Sequence, residues 1–260
     1  MAVALTSNVD WDLQTGASTT MSYASGKTIA SGATLAIFAY WGDSSVTATV
    51  ADNLGNTYTL VDDVAQASGI GTRRGRSFYA KNVTGGGSYT PVVTFSGSTN
   101  NRVLLLAEMT GADTVTPLVG NAGQAQTLPG TGTNAITSTA DTPTANNCLV
   151  LGCTSGDIRQ SIVVGTGFTD VGMGFGVGAA GNIEWLRGGY LIQTTATSQA
   201  ATFTQATGDD PNATLTLMMQ FQPASSAAFS LVVDTASYAV TGSDVTLLQQ
   251  VIQTWLRVGR

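Results

Sequence analysis

The chain has 260 residues, 43% of them hydrophobic and only 10% charged, with a net charge of -6 from ten Lys and Arg against sixteen Asp and Glu. That length supplies one large core or two small ones without disulfide or metal staples, and the acidic balance removes any electrostatic basis for coating nucleic acid. Histidine is absent, which removes the commonest general base, the usual Ser and Cys triads and nearly all His-containing zinc sites, and two cysteines cannot build a four-Cys site.

From the N-terminus, MAVALTSNVDWDLQ places acidic residues where a secretion signal needs a basic start and a longer apolar run, so synthesis in a cytoplasm is expected. The longest apolar segments, such as Ala33 to Trp41, fall far short of the roughly 20 residues that span a bilayer. Trp11 is a candidate anchor for a neighbouring subunit. Beyond it, β-branched and aromatic runs alternate with Gly, Asn, Asp and Ser turn clusters, an all-β pattern. Strands are expected at Thr34 to Tyr40, Asn56 to Val61, Ser77 to Asn82, Thr90 to Phe95 and Arg102 to Met109, then at Cys148 to Cys153, Glu184 to Gln193, Ala200 to Thr204 and Ala213 to Phe221. In Asp52-Asn53-Leu54-Gly55-Asn56 the Asx side chains can hold nearby amides while Gly55 takes a positive φ.

The two halves echo each other. LAIFAY, GNTYTLV, SFYAKNVTGGGSYTPVVTFSG and NNRVLLLAEMTG find counterparts, in order, in NCLVLGC, GTGFTDV, GGYLIQTTATSQAATFTQATG and NATLTLMMQF. Two four-stranded halves facing one another predict a β-sandwich over residues 1–221, jelly-roll-like with two related halves, in which Leu118 to Thr144 is the Gly- and Pro-containing crossover. Two separate small domains are the alternative. The phrase DNLGNTYTLV, with SFYAKNVTGGG and VLLLAEMTG, also resembles a β-sandwich domain of phage and bacterial extracellular proteins over roughly residues 30–112, which implies fold and no chemistry.

Residues that could carry chemistry or contacts are few. Arg73, Arg74, Arg76 and Lys81 cluster beside glycines and read either as a solvated loop and strand edge or as a patch for an anionic partner. Trp41, Tyr89 and Trp185 are aromatics that, if exposed, would stack on sugar rings; Trp41 and Trp185 are the glycan candidates. Glu108 and Glu184 are the only glutamates and the sole candidates for a two-carboxylate glycosidase; their plainer reading is pairing with Arg102 or Arg187. Asp62-Asp63 and Asp209-Asp210 read as turn residues rather than calcium ligands. GVGAAG at 176–181 matches GxGxxG, but a strand-like run follows where a phosphate-binding helix should open. Cys148 and Cys153, five apart on one strand, point to opposite faces and are expected as buried free thiols. No cofactor, metal site or catalytic residue is assigned.

After a linker at 222–228, residues 229–260 form a distinct module: a small hairpin across Asp234 to Ser237, then Leu248, Val251, Ile252 and Trp255 at helical spacing behind Ser243 or Asp244 as cap. TWLRV continuing as strand is the alternative. Its FSLVVDTASYAVTGSDVTLL resembles a short C-terminal phrase that recurs in structural proteins of tailed bacteriophages. The resemblance implies a non-enzymatic virion protein made in the bacterial host cytoplasm, an exterior capsid decoration, collar or fibre subunit. It would be homo-oligomeric, for example trimeric, and would touch other virion proteins through Leu248, Val251, Ile252, Trp255 and Tyr238. The weakly charged, Thr- and Ala-rich composition suits such assembly, because short side chains lose little entropy on burial. No membrane or nucleic-acid partner is expected. A carbohydrate- or receptor-binding module of a tail fibre is the alternative.

Overall fold

The computed structural model describes residues 2–23, 26–66, 72–129, 132–157, 162–177, 183–205 and 212–225. The chain divides into two units, Met1–Ser225 and Ser226–Arg260. The second unit lies outside the described residues, and with it the expected hairpin, the helical stripe and Tyr238.

Among the described residues every element is a strand. In chain order they are β1 (Ala4–Gln14), β2 (Ser18–Ser22), β3 (Lys27–Ile29), β4 (Thr34–Trp41), β5 (Ala48–Asp52), β6 (Thr59–Gln66), β7 (Arg73–Ala80), β8 (Gly86–Tyr89), β9 (Pro91–Thr99) and β10 (Arg102–Thr110). The second half follows with β11 (Leu118–Leu128), β12 (Asn134–Thr137), β13 (Cys148–Asp157), β14 (Ile162–Val164), β15 (Thr169–Val177), β16 (Ile183–Gln193), β17 (Thr202–Gln205) and β18 (Asn212–Phe221). The protein is all-β and all the pairings are antiparallel.

The halves repeat strand for strand. A five-stranded sheet ordered β1-β10-β4-β7-β6 has its counterpart in β11-β18-β13-β16-β15, and a three-stranded sheet β2-β9-β5 has its counterpart in β12-β17-β14. The ribbon β3-β8 belongs to the first half alone. Leu118 to Thr144, expected as a crossover, instead contains β11 and β12, the opening strands of the second half. Its Gly and Gln residues disguise an edge strand that needs little apolar side chain, since it packs only partly against the core.

The two five-stranded sheets face each other across an apolar layer that includes Phe38, Tyr40, Leu105, Met109, Leu151, Cys153, Leu217 and Phe221. Each also packs its other face on the small sheet of its own half: Leu35, Ile37, Trp41, Phe95, Leu104 and Leu106 in the first, and Ile136, Val150, Phe203 and Met218 in the second. Three apolar layers therefore separate four sheets, where a single shared core was expected. Strands β4, β10, β13 and β18 are covered on both faces, which explains why LAIFAYW, VLLLAEM, CLVLGC and ATLTLMMQF lack the apolar-polar alternation of a one-sided strand.

Two local features hold as the sequence predicts. Asp52 Oδ1 accepts from the amides of Leu54 at 2.8 Å and Asn56 at 3.1 Å, and Gly55 has φ of 78°. Both cysteines are free and buried; Cys153 lies in the layer between the large sheets, while Cys148 takes the opposite parity on β13 and donates to the Ala145 carbonyl at 3.0 Å. The body also runs further than expected. Gln222 and Ala224 donate backbone hydrogen bonds to Pro117 O and Gly111 O, both at 2.8 Å, so the first linker residues are fastened to the connection between the halves.

Candidate interaction sites

The basic cluster does not form a free patch. Arg73, Arg74 and Arg76 lie on β7, an interior strand between β4 and β6, and not on a loop or sheet edge. Arg74 grips Asp63 with two nitrogens, Nε at 2.6 Å and Nη2 at 2.7 Å, and donates to Ser44 O at 3.0 Å. Arg76 reaches the same carboxylate at 2.5 Å and Ala48 O at 2.6 Å. Arg73 is 7% exposed, and Lys81 donates to Val115 O. These cations hold the body together, which corrects the anionic-partner reading. Asp62 and Asp63, expected in a turn, belong to β6 and face Ser77 and Arg76 across the ladder.

The proposed glycan platform also fails at Trp41. Its side chain is 1% exposed, meets Phe95 edge-on with centroids 5.2 Å apart, and donates Nε1–H to Val46 O at 3.1 Å. Tyr89 is likewise buried, bonded hydroxyl to hydroxyl with Tyr58. Both sit on strand faces turned to the small sheet's core, where alternating aromatics serve packing. The Trp185 and Glu184 side chains lie outside the described residues; their backbones pair with Gly156 and Asp157 on β13. Trp11 is 40% exposed on the edge strand β1, consistent with an anchor. Glu108 is 1% exposed, its two oxygens accepting from Thr6 Oγ1 and the Ala30 amide, both at 2.7 Å. Asp209, Asp210 and part of the 176–181 glycine run fall outside the described residues.

What the fold brings together is a duplicated anchor invisible in the linear sequence. Arg74 stands opposite Trp41 and Ala65, and Arg187 opposite Thr154 and Met173, so the two arginines hold equivalent places. Each is followed by a glycine facing the other half and each pairs with an aspartate, Asp63 or Asp170, on the neighbouring edge strand. The glycines permit close approach: a Cβ on Gly75 would lie 2.6 Å from the Tyr40 ring, and one on Gly188 would lie 2.4 Å from Val171 and 2.8 Å from Leu105. Tyr40 thereby crosses between the halves and donates its hydroxyl to Cys153 O at 2.7 Å. Burial, chiefly, raises the pKa of this phenol well above its ordinary value, so it stays a donor.

A second polar junction spans the halves at their rim. Asn121 of β11 donates its side-chain amide to Asp62 at 2.7 Å, and its backbone N–H donates to Asp141 Oδ2 at 2.8 Å. Residue-level signals for this junction were present as isolated Asn and Asp in turn-like strings, but only pairing of β11 with β18 sets Asn121 against β6. Among the described residues no group of three or more metal-ligating acids, Cys or His gathers. No family model, curated protein or solved structure matches the chain.

Proposed function

We propose that this protein is a non-enzymatic structural subunit of a tailed-phage virion, an exterior accessory protein that works through protein-protein contacts, with residues 226–260 as its attachment segment. The observation that carries the reading is the phrase FSLVVDTASYAVTGSDVTLL, which begins a few residues after the body's last fastened backbone at Ala224. The body supplies a suitable counterpart. Among the described residues Arg74 and Arg76 are spent on Asp63, the exposed side chains are mostly short and uncharged, and Trp11 offers an aromatic contact. Attachment through one modest segment becomes firm when copies repeat around an oligomer or lattice. The glycan-binding alternative loses Trp41 as a platform.

Cosedimentation of the full chain and of a 1–225 truncation with phage particles lacking the protein tests the reading. The truncation should keep its β-sheet circular dichroism and lose particle binding. Equal binding by both forms, or loss of the β signal on truncation, would refute the attachment role.

A further inference from the structure

Three passages of the chain meet at one end of the body. Ala4, at the start of β1, pairs with Thr110 at the end of β10, and Val3 shares a core with Ala112. Leu118 opens β11 opposite Phe221, the last residue of β18. Between β10 and β11 runs the connector of the two halves, 111–117, turned at Gly111 with φ of 74°. Residues 222–225 lie along this connector instead of leaving it. Besides the bonds of Gln222 and Ala224 to its carbonyls, the Asp113 amide donates to Gln222 O at 3.0 Å, and the Asp113 carboxylate accepts the Ser225 amide. The chain therefore passes into residues 226–260 from a fixed point beside the connector.

The connector is itself held from within. Asp113 Oδ1 accepts the amides of Val115 and Thr116, both at 2.8 Å. Asn82 donates its side-chain amide to Thr114 O at 2.8 Å, Lys81 donates to Val115 O, and Gln222 donates its side-chain amide to Thr116 O at 2.7 Å. Val115 stands at the tip of this loop, 70% exposed, more than any other large hydrophobic side chain among the described residues. A single exposed valine is ordinary on a protein surface. This one differs in two respects. Its backbone is already ordered, so seating it on a partner costs little conformational entropy. It also stands beside the point from which the chain leaves for its attachment segment. Lys81 and Asp113, the charges at the connector, are opposite in sign and bond the loop's own backbone, so the tip suits an apolar, uncharged patch.

We propose that the Val115 tip of the connector is a second contact of the body, seated in an apolar patch of the particle surface next to the place where residues 226–260 attach. This rests on the attachment reading of that segment. Because the exit is fixed beside the tip, binding of the segment brings Val115 to the same surface at high effective concentration, and two modest contacts act as one firmer one.

The test is cosedimentation with phage particles lacking the protein, using the full chain, the 1–225 truncation, Val115→Asp, Val115→Ile and, as a control, Val163→Asp. Val163 is 53% exposed on β14 of the second small sheet. All three substitutions are at exposed positions and should leave circular dichroism and the thermal midpoint unchanged. Val115→Asp should weaken particle binding about tenfold, while Val115→Ile and Val163→Asp bind as the native chain does. If the full chain binds and the truncation does not, yet Val115→Asp binds as tightly as the native chain, or Val163→Asp weakens binding equally, the second contact is refuted and the attachment segment stands. If the full chain itself fails to bind, the attachment reading falls and this contact with it.

Discussion

Asp62 and Asp63 are neighbours on β6 that face opposite ways and titrate in opposite directions. Burial works against ionisation of Asp63, yet the hydrogen bonds and charges of Arg74 and Arg76 outweigh it and hold the carboxyl down to about 2. Burial raises the Asp62 pKa, helped by repulsion from Asp141 and only partly offset by hydrogen bonds from Asn121 and Ser77. The signs follow by linkage. Asp63, with its folded pKa below the unfolded value of about 3.9, adds stability that is present above that value and is lost as pH falls through about 2. Asp62, with its folded pKa raised, adds stability only below the unfolded pKa, and this is lost as pH rises through the folded one. Asp63→Asn should therefore lower stability by roughly 1–2 kcal/mol at pH 7, with the difference shrinking below about pH 4. Asp62→Asn should raise stability at pH 7 and converge with the native chain in acid. Urea unfolding of both variants at stepped pH measures this; equal pH profiles would remove the assigned charges. Neither role was legible in the sequence, because DD reads as a turn until β7 supplies the arginines on one face and β11 supplies Asn121 on the other.

At the scale of elements, the long edges are protected by aspartates. The Trp11 and Leu13 amides of β1 are bonded by Asp10 and Asp12 at 2.9 and 2.8 Å, Asn121 of β11 by Asp141, and Gly172 of β15 by Asp170 at 3.0 Å beside a bulge. An unpaired row of strand amides invites another chain, and charge on the edge opposes that. Strand addition along these edges is therefore opposed, which on the proposed reading leaves faces, loops and Trp11 for partner contacts. Asp10→Ala with Asp12→Ala should leave the fold intact and promote concentration-dependent association beyond that of the native chain, read by light scattering; scattering identical to the native chain's would show that these carboxylates do not guard the edge. The strands that the sequence predicted well, β4, β10, β16 and β18, are the apolar or aromatic-rich ones. Those it missed, including β1, β5, β11 and β12, are edge or small-sheet strands in which small or polar residues interrupt the apolar run, and their extended state depends on a neighbour rather than on their own propensity.

The whole body depends on the layer between its halves. Phe38, Leu105, Leu151 and Leu217 are at most 1% exposed there, and each such side chain contributes roughly 1.5–3 kcal/mol when removed from water. A chain of residues 1–116 alone would bare that face of its large sheet and should aggregate, whereas coexpression with 117–225 should recover a soluble complex on size exclusion. A soluble, monomeric 1–116 fragment would mean that each half is independently stable. The repeated strand order makes the halves near copies in topology.

By itself the sequence determined the all-β class, the repeat of two halves, the free buried cysteines and the Gly55 turn, because each rests on local periodicity, parity or backbone freedom. Tertiary structure alone decided that each half packs a large sheet on a small one, that the arginine cluster is internal and that Trp41 is buried against Phe95. Those outcomes depend on which strand lies opposite which, and pairing between residues tens of positions apart leaves no mark in the local pattern.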